Sequence, residues 1–220
     1  KMRYYPVYLD IRDRHCLVVG GGSVGTRKVK TLLVCGGRVT VISPTVSASL
    51  DTLVRSGRVE LKQRAYSQSD LEGVFLVIGA TDDQDLNRRI SADAARKNLL
   101  CNIADRPEIC NFVLPSIVNR GDLTISISTA GKSPAMAKQV RKELEQQFGP
   151  EYANVLRLMG AVRKKLLRQK HEPEAHKPLF EKLIHGGLRE LIRDEQTKDV
   201  NDLLFRVLGE GFRYDELMKS

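Results

Sequence analysis

The residues best suited to chemistry form a glycine-rich run, Gly20-Gly21-Gly22-Ser23-Val24-Gly25, directly behind the apolar segment 16–19. As Gly-x-Gly-x-x-Gly, the run predicts a tight turn at Gly20, close backbone approach to a pyrophosphate at Gly22 and close helix packing at Gly25. A helix that begins near Ser23 would point its free N–H groups at the phosphates. Because a strand is predicted before the run and a helix after it, the pattern favours dinucleotide binding over a purely structural turn.

Three more segments are predicted to share the edge of the sheet at which the glycines lie. In open α/β folds, ligands bind beyond the carboxyl ends of the strands. The segments at these positions are Ser43-Pro44-Thr45, Ala80-Thr81-Asp82 and Ile103-Ala104-Asp105. The predicted cofactor-binding residues are therefore Gly20, Gly22, Ser23, Val24, Gly25, Ser43, Pro44, Thr45, Ala80 and Thr81.

The end of the second strand departs from the usual NAD pattern. An Asp or Glu normally binds the adenosine ribose at this point, but the chain has Ser43 there. No basic residue directly follows Ser43 to bind the 2′-phosphate of NADP either. The Ser43 side chain and the backbone of Pro44 and Thr45 are the groups left to bind the ribose.

Asp105 is the candidate catalytic residue. It follows a predicted buried strand, at the place where the nicotinamide end of a dinucleotide should lie, and Pro107 comes two residues later. A carboxyl group with an ordinary pKa of about 3.9 needs desolvation to act as a base near neutral pH. A turn-capping role is the alternative for Asp105. Asp82 and Asp83 are better explained as carboxylates at a helix N-terminus.

The elements that must position these residues alternate through the first hundred residues. Strands are predicted at 16–19, 39–42, 58–61, 74–78 and 99–103, and helices at 23–34 and 83–97. The uninterrupted apolar run 74–78 is typical of a central parallel strand that is covered on both faces. A mixed stretch after Thr45 receives no element up to Leu53. The alternation predicts a Rossmann-like, doubly wound parallel α/β sheet.

The pattern changes after Pro107. Segments 112–118 and 123–128 flank a favourable hairpin turn at 119–122. Since a two-stranded ribbon is marginal alone, we expect it to pair with another surface, such as its twin in a dimer. Ser133 and Pro134 predict the start of a helix that runs to Phe148.

Amphipathic stripes predict that everything after Glu151 is helical, with a polar break at 169–174. The predicted domains are an NAD-binding Rossmann domain over 1–111, a hairpin-plus-helix dimerisation segment over 112–149 and a helical C-terminal domain over 150–220.

Charge and composition narrow the function further. The net charge is +9, and residues 1–150 hold +7 of it, with 22 Lys and Arg against 15 Asp and Glu. A basic excess could serve nucleic acid, but the chain has no Trp and no basic-aromatic ladder, and a polyanionic small molecule explains the charge as well. A nucleic-acid-binding protein is the third alternative. The sequence contains no run of eighteen apolar residues, so no membrane span is predicted.

Side chains that would indicate other chemistry are scattered. The four cysteines form no close pairs, which favours reduced thiols and a cytoplasmic location. His171, His176 and His185 have no convincing ligand spacing, so no metal site and no Ser-His-Asp triad is predicted.

A family resemblance covers roughly residues 3–150. The run from Gly20 to Lys28 resembles the Gly-Gly-Gly-x-Val-Ala-x-Arg-Lys signature of precorrin-2 dehydrogenases, the siroheme synthase N-terminal family. Further similar blocks are Val39 to Pro44, Ala80 to Asp83, Cys101 to Asp105, Phe112 to Ile117 and Ile127 to Pro134. Gly25 stands where the signature usually has Ala, a change expected to be harmless, and the tail after Pro150 matches only loosely.

The resemblance implies NAD-dependent oxidation of the tetrapyrrole precorrin-2 to sirohydrochlorin. It implies a homodimer whose interface is built by the hairpin and the following helix, and it gives Asp105 a role in dehydrogenation. The family also lacks the acidic ribose ligand, so Ser43 is expected. A bifunctional dehydrogenase and ferrochelatase that uses the same Asp105 is the nearest alternative, and a non-catalytic NAD-binding regulatory module is the second.

Overall fold

The computed structural model describes residues 3–169 and 173–219. The chain divides into two compact units, Lys1–Leu114 and Pro115–Ser220. The predicted boundary at 111/112 lies close to this division. The predicted boundary at 149/150 has no counterpart in it, because the helix that follows residue 150 packs on the hairpin.

The first unit is built on a five-stranded sheet in which all strands are parallel. Its strands are β1 (His15–Gly21), β2 (Arg38–Val46), β3 (Glu60–Lys62), β4 (Leu76–Gly79) and β5 (Leu100–Ile103), in the spatial order β3-β2-β1-β4-β5. The chain moves outward from β1 to β3 and then crosses to the other side of β1 for β4 and β5. This order confirms the predicted Rossmann-like, doubly wound sheet.

Helices cover both faces of this sheet. They are α1 (Ser23–Val34), α2 (Ala48–Arg55) and α3 (Gln84–Arg96). Successive side chains of β1 enter different cores: Val18 joins the cluster that contains Val29 of α1, and Leu17 joins the cluster that contains Ile90 of α3. The apolar run of β1 is therefore buried on both faces, as expected for a central parallel strand.

Two sequence predictions in this unit need correction. The segment between Thr45 and Leu53, for which no helix or strand is predicted, contains most of α2. The N-cap of this helix, Ser47, accepts a hydrogen bond from the Leu50 N–H. Its apolar residues Leu50, Leu53 and Val54 have the i, i+3, i+4 spacing of a helix face, a signal obscured by the surrounding serines. The strand assigned to 39–42 extends to Val46, since Gly21 pairs with Val46 across a register shift.

The second unit begins with a hairpin of β6 (Ser116–Arg120) and β7 (Leu123–Ile127). The first arm begins four residues later than the predicted 112–118 and ends two residues later. Arg120 pairs with Leu123, so the turn consists of Gly121 and Asp122 rather than 119–122, and Gly121 has φ +64°. Pro115 has no N–H to donate, which explains why pairing starts after it.

The rest of the unit is helical, as predicted. The helices are α4 (Pro134–Gln147), α5 (Glu151–Arg168), α6 (His176–His185), α7 (Leu188–Arg193), α8 (Thr197–Leu208) and α9 (Tyr214–Leu217). The side chains of Leu158, Leu183 and Leu204 are fully buried in one core that α5 to α9 share. Of the predicted polar break at 169–174, residues 170–172 lie outside the described residues. Within the described ranges, no helix has the length and apolar character needed to cross a bilayer.

Candidate cofactor and active site

The glycine-rich turn joins β1 to α1 and allows contacts that no side chain would permit. Gly20 has φ +114°, and a Cβ there would lie 2.3 Å from the Ala80 carbonyl oxygen. A Cβ on Gly25 would lie 2.1 Å from the Gly20 carbonyl oxygen. The helix thus rests directly on the end of its strand, which is the arrangement predicted for Gly25.

Gly22 differs from its neighbours because the space beside it is open. A Cβ on Gly22 would meet no atom within 4 Å. Gly22 is the N-cap of α1, no side chain caps this helix, and its first turn holds no acidic residue. The first intrahelical donor is the Thr26 N–H, which binds the Gly22 carbonyl, so the N–H groups of residues 23–25 have no intrahelical acceptor. The open side and the free donors fit a bound pyrophosphate.

Three hydroxyl groups hold this turn in place. The Ser43 hydroxyl accepts the Gly21 N–H at 3.0 Å and donates to the Thr45 carbonyl at 2.6 Å. The Thr26 hydroxyl donates to the Gly22 carbonyl and lies 2.8 Å from the Ser47 hydroxyl. Ser43 is 7% exposed. Its side chain is therefore directed into the turn, and Pro44 and Thr45 are the exposed residues of the segment predicted to bind the ribose.

The segment after β4 lies against the glycine turn. The Ala80 N–H donates to the Val19 carbonyl, next to Gly20. The buried Asn87 amide binds the Thr81 carbonyl at 2.8 Å, and the Thr81 hydroxyl donates to the Asn87 Oδ1 at 3.0 Å. The Asp83 carboxylate accepts the N–H groups of residues 85 and 86, so Asp83 is the N-cap of α3, in agreement with its predicted role.

Asp105 lies in the turn after β5, at the same edge of the sheet. It is exposed and has φ +59°, the left-handed conformation that Asp and Asn tolerate better than most residues. The Ala104 N–H donates to the Gly79 carbonyl, which joins the ends of β4 and β5.

Lys28, on the second turn of α1, is a cationic residue whose charge interacts with the Asp105 turn. Burial and the neighbouring Arg27 lower the pKa of the Lys28 ammonium, while Asp105 and Cys110 act in the opposite direction. The half-buried ammonium therefore lies within electrostatic reach of both groups.

Sequence reasoning missed several residues that support the site: Thr26, Lys28, Ser47, Asn87 and Cys110. Lys28 was within the family signature, and Ser47 was detectable as a helix N-cap. Asn87 and Cys110 carry no local signal, because their partners are brought to them only by the fold. Among the described residues, no group of three or more His, Cys, Asp or Glu side chains could hold a metal ion. His171 lies outside the described residues.

Family models match two segments of the chain. A model described as putative NAD(P)-binding matches residues 7–116, and one described as sirohaem biosynthesis protein central matches residues 120–147. The first covers the whole sheet with its edge segments, and the second covers the hairpin turn, β7 and α4.

Curated relatives include siroheme synthases. That of Methylococcus capsulatus is 32% identical over 97% of this chain, and that of Nitrosococcus oceani is 34% identical over 96% of it. The chain spans 45% of the length of each of these relatives.

A solved structure described as SirC, a precorrin-2 dehydrogenase, superimposes with a TM-score of 0.79 at 28% identity. The match covers 93% of this chain and 98% of that one. The protein is thus a member of the putative NAD(P)-binding family and a homologue of the siroheme synthases, as its resemblance to that family predicted.

Proposed function

We propose that the protein is an NAD-dependent dehydrogenase that oxidises precorrin-2 to sirohydrochlorin. The observation that carries the proposal is the position of Asp105 at the same edge of the sheet as the open glycine turn, in a chain that matches a precorrin-2 dehydrogenase structure along nearly all of its length. The basic excess of residues 1–150 suits a substrate that bears many carboxylates.

The proposed cofactor is NAD rather than NADP. The family model describes NAD(P) binding without distinguishing the two. No basic residue stands between Ser43 and Ser47 to pair with a 2′-phosphate, and the Ser43 hydroxyl is already bonded to Gly21 and Thr45. We expect the backbone of Pro44 and Thr45 to bind the adenosine ribose. A lower KM for NAD than for NADP would support this choice, and the reverse order would contradict it.

In the proposed mechanism, the N–H groups of residues 23–25 bind the pyrophosphate of NAD. The dinucleotide then passes Ala80 and Thr81, so that its nicotinamide end lies near Asp105. Bound NAD supplies the hydride acceptor. The Asp105 carboxylate takes the proton that the tetrapyrrole releases with the hydride, or orients the reduced ring for that loss. Positioning of the two reactants is expected to supply most of the rate.

The hairpin supports a homodimer. Of its strand residues, Val118 is the one that is buried, while Ile117 on β6 is 43% exposed and Met136 on α4 is 56% exposed. A two-stranded ribbon with so little burial gains stability from a partner surface. We propose that a second copy of the chain covers it and that the enzyme works in the cytoplasm, where its four free cysteines stay reduced.

The decisive experiment is an anaerobic assay of the purified protein with precorrin-2 and NAD, followed by absorbance. Formation of NADH and sirohydrochlorin in equal amounts is expected. Tight NAD binding without NADH formation would refute the dehydrogenase and favour a regulatory NAD-binding module. We favour the dehydrogenase over metal insertion because the matched structure is described as a dehydrogenase.

A further inference from the structure

The thiol of Cys110 lies against both ends of the turn that carries Asp105. The Ile103 N–H donates to its Sγ at 3.1 Å, and the thiol lies 3.1 Å from the Arg106 carbonyl oxygen and 3.4 Å from the Ile103 carbonyl oxygen. The Asn102 amide also approaches the sulfur, at 3.7 Å. One side chain therefore bridges the residues on either side of Asp105.

Besides the thiol, backbone hydrogen bonds hold this turn at its two ends: the Ala104 N–H donates to the Gly79 carbonyl at 2.8 Å, and the Ile109 N–H donates to the Arg106 carbonyl at 3.2 Å. The Arg106 N–H donates to the Ile103 carbonyl at 3.3 Å, a long hydrogen bond, and Asp105 between them has φ +59°. A left-handed non-glycine residue persists when its surroundings hold it. The Cys110 thiol supplies both a donor and an acceptor to the atoms that flank this residue.

Cys110 is itself well placed for this contact. The next residue, Asn111, pairs with the free edge of β5: its Oδ1 accepts the Cys101 N–H at 2.8 Å and its Nδ2 donates to the Leu99 carbonyl at 2.7 Å. The segment that carries the thiol is thus attached to the strand that carries the turn. Burial raises the pKa of Cys110, so its S–H proton stays in place at neutral pH and can bind a carbonyl.

We propose that Cys110 is a positioning residue for Asp105: its thiol fixes the turn 103–106 and thereby aims the Asp105 carboxylate. This role rests on the proposed function, in which Asp105 acts on the substrate. Cys110 does not touch the reacting atoms. It determines how often the carboxylate is in the reactive position, so its loss lowers kcat and leaves NAD binding intact.

The test compares Cys110→Ala, Cys110→Ser and the control Cys35→Ser, which alters an exposed cysteine at the end of α1. Cys110→Ala removes the donor and the acceptor. We expect kcat to fall about tenfold to a hundredfold, which is the usual loss of rate when a catalytic group is misplaced. Cys110→Ser keeps both, and kcat should recover to within about threefold of the wild type. The KM for NAD should be unchanged in all three variants.

Two results would overturn the proposal. One is a Cys110→Ala enzyme with the kcat of Cys35→Ser, and the other is an equal loss in Cys110→Ala and Cys110→Ser. If Cys110→Ala does not fold, Cys110→Val replaces it, because residue 110 has extended backbone angles that a β-branched side chain adopts readily. Failure of the proposed function would appear separately, as absence of NADH formation in the wild type.

Discussion

The glycine-rich turn and the Asp105 turn lie at the same edge of one sheet, yet they are held in different ways. The glycine turn owes its shape to missing side chains, since a Cβ on Gly20 or Gly25 would strike a carbonyl oxygen. The Asp105 turn is held by a side chain that reaches it from outside, the thiol of Cys110. The glycine turn is therefore sensitive to a side chain added at Gly20 or Gly25, whereas the Asp105 turn is sensitive to loss of the Cys110 thiol.

This difference teaches where each kind of site is vulnerable. A turn made by glycines binds a ligand through its backbone, so an added side chain blocks the ligand directly. A turn that presents a side chain for chemistry depends on how that side chain is aimed. The predictions that follow test the two turns against each other.

Gly22→Asp is expected to have the largest effect. The new carboxylate would face the pyrophosphate, and repulsion of several kcal/mol would weaken NAD binding at least about a hundredfold. Stability should be equal or slightly higher, since a Cβ at residue 22 meets no atom within 4 Å and Asp is a good N-cap. Titration with NAD and thermal unfolding measure the two effects. Gly160→Asp, at an exposed glycine of α5, is the control, and an unchanged NAD affinity of Gly22→Asp would contradict the assigned pyrophosphate site.

Asp105→Asn should act on turnover alone. Asn keeps the shape and tolerates the left-handed backbone, but it cannot accept the proton, so kcat should fall by about a hundredfold or more. NAD affinity should stay the same. Asp82→Asn, an exposed carboxylate of the same edge, serves as the control in steady-state kinetics. If both variants turn over at the wild-type rate, Asp105 has no part in the reaction.

Gly25→Ala separates steric need from helix propensity. Ala is normally better than Gly in a helix by about 1 kcal/mol, but here its Cβ would lie 2.1 Å from the Gly20 carbonyl oxygen. The family signature usually has Ala at this position, but in this chain the Gly20 carbonyl occupies the space of the methyl group. We therefore expect the free energy of unfolding to fall by about 1–3 kcal/mol, measured by urea denaturation. Gly160→Ala, whose Cβ meets no atom within 4 Å, should raise it instead. If both variants raised the free energy of unfolding, the turn would accommodate the added methyl group, and the steric argument would be wrong.

Ser43→Ala should have the smallest effect. Loss of the hydroxyl leaves the Gly21 N–H without its acceptor, at a cost of about 1 kcal/mol in the free energy of unfolding. Ser56→Ala, at an exposed serine, should cost less than about 0.5 kcal/mol. Chemical denaturation of both variants provides the comparison, and equal stabilities would show that Ser43 does not support the turn.

Most of the sheet and the glycine turn at its edge were predictable from the sequence. The apolar runs of β1 and β4 and the glycines between β1 and α1 are local patterns, and such patterns survive folding because their causes are local. The helix α2 was missed although Leu50, Leu53 and Val54 have helical spacing. The hairpin was predicted with its first arm displaced, since the apolar segment continues beyond the residues that pair.

The chain's own order of residues determined the parallel sheet, the glycine turn and the place of Asp105 at the edge of that sheet, because each follows from periodicity, conformational freedom or position after a strand. Tertiary structure alone decided that the Ser43 hydroxyl faces the glycine turn, and that Asn87 and Cys110 contact the segments around Thr81 and Asp105. These contacts join residues whose meeting depends on how strands and loops pack. No local sequence pattern predicts such a contact. A half-buried cysteine, for example, could equally well be a plain core residue.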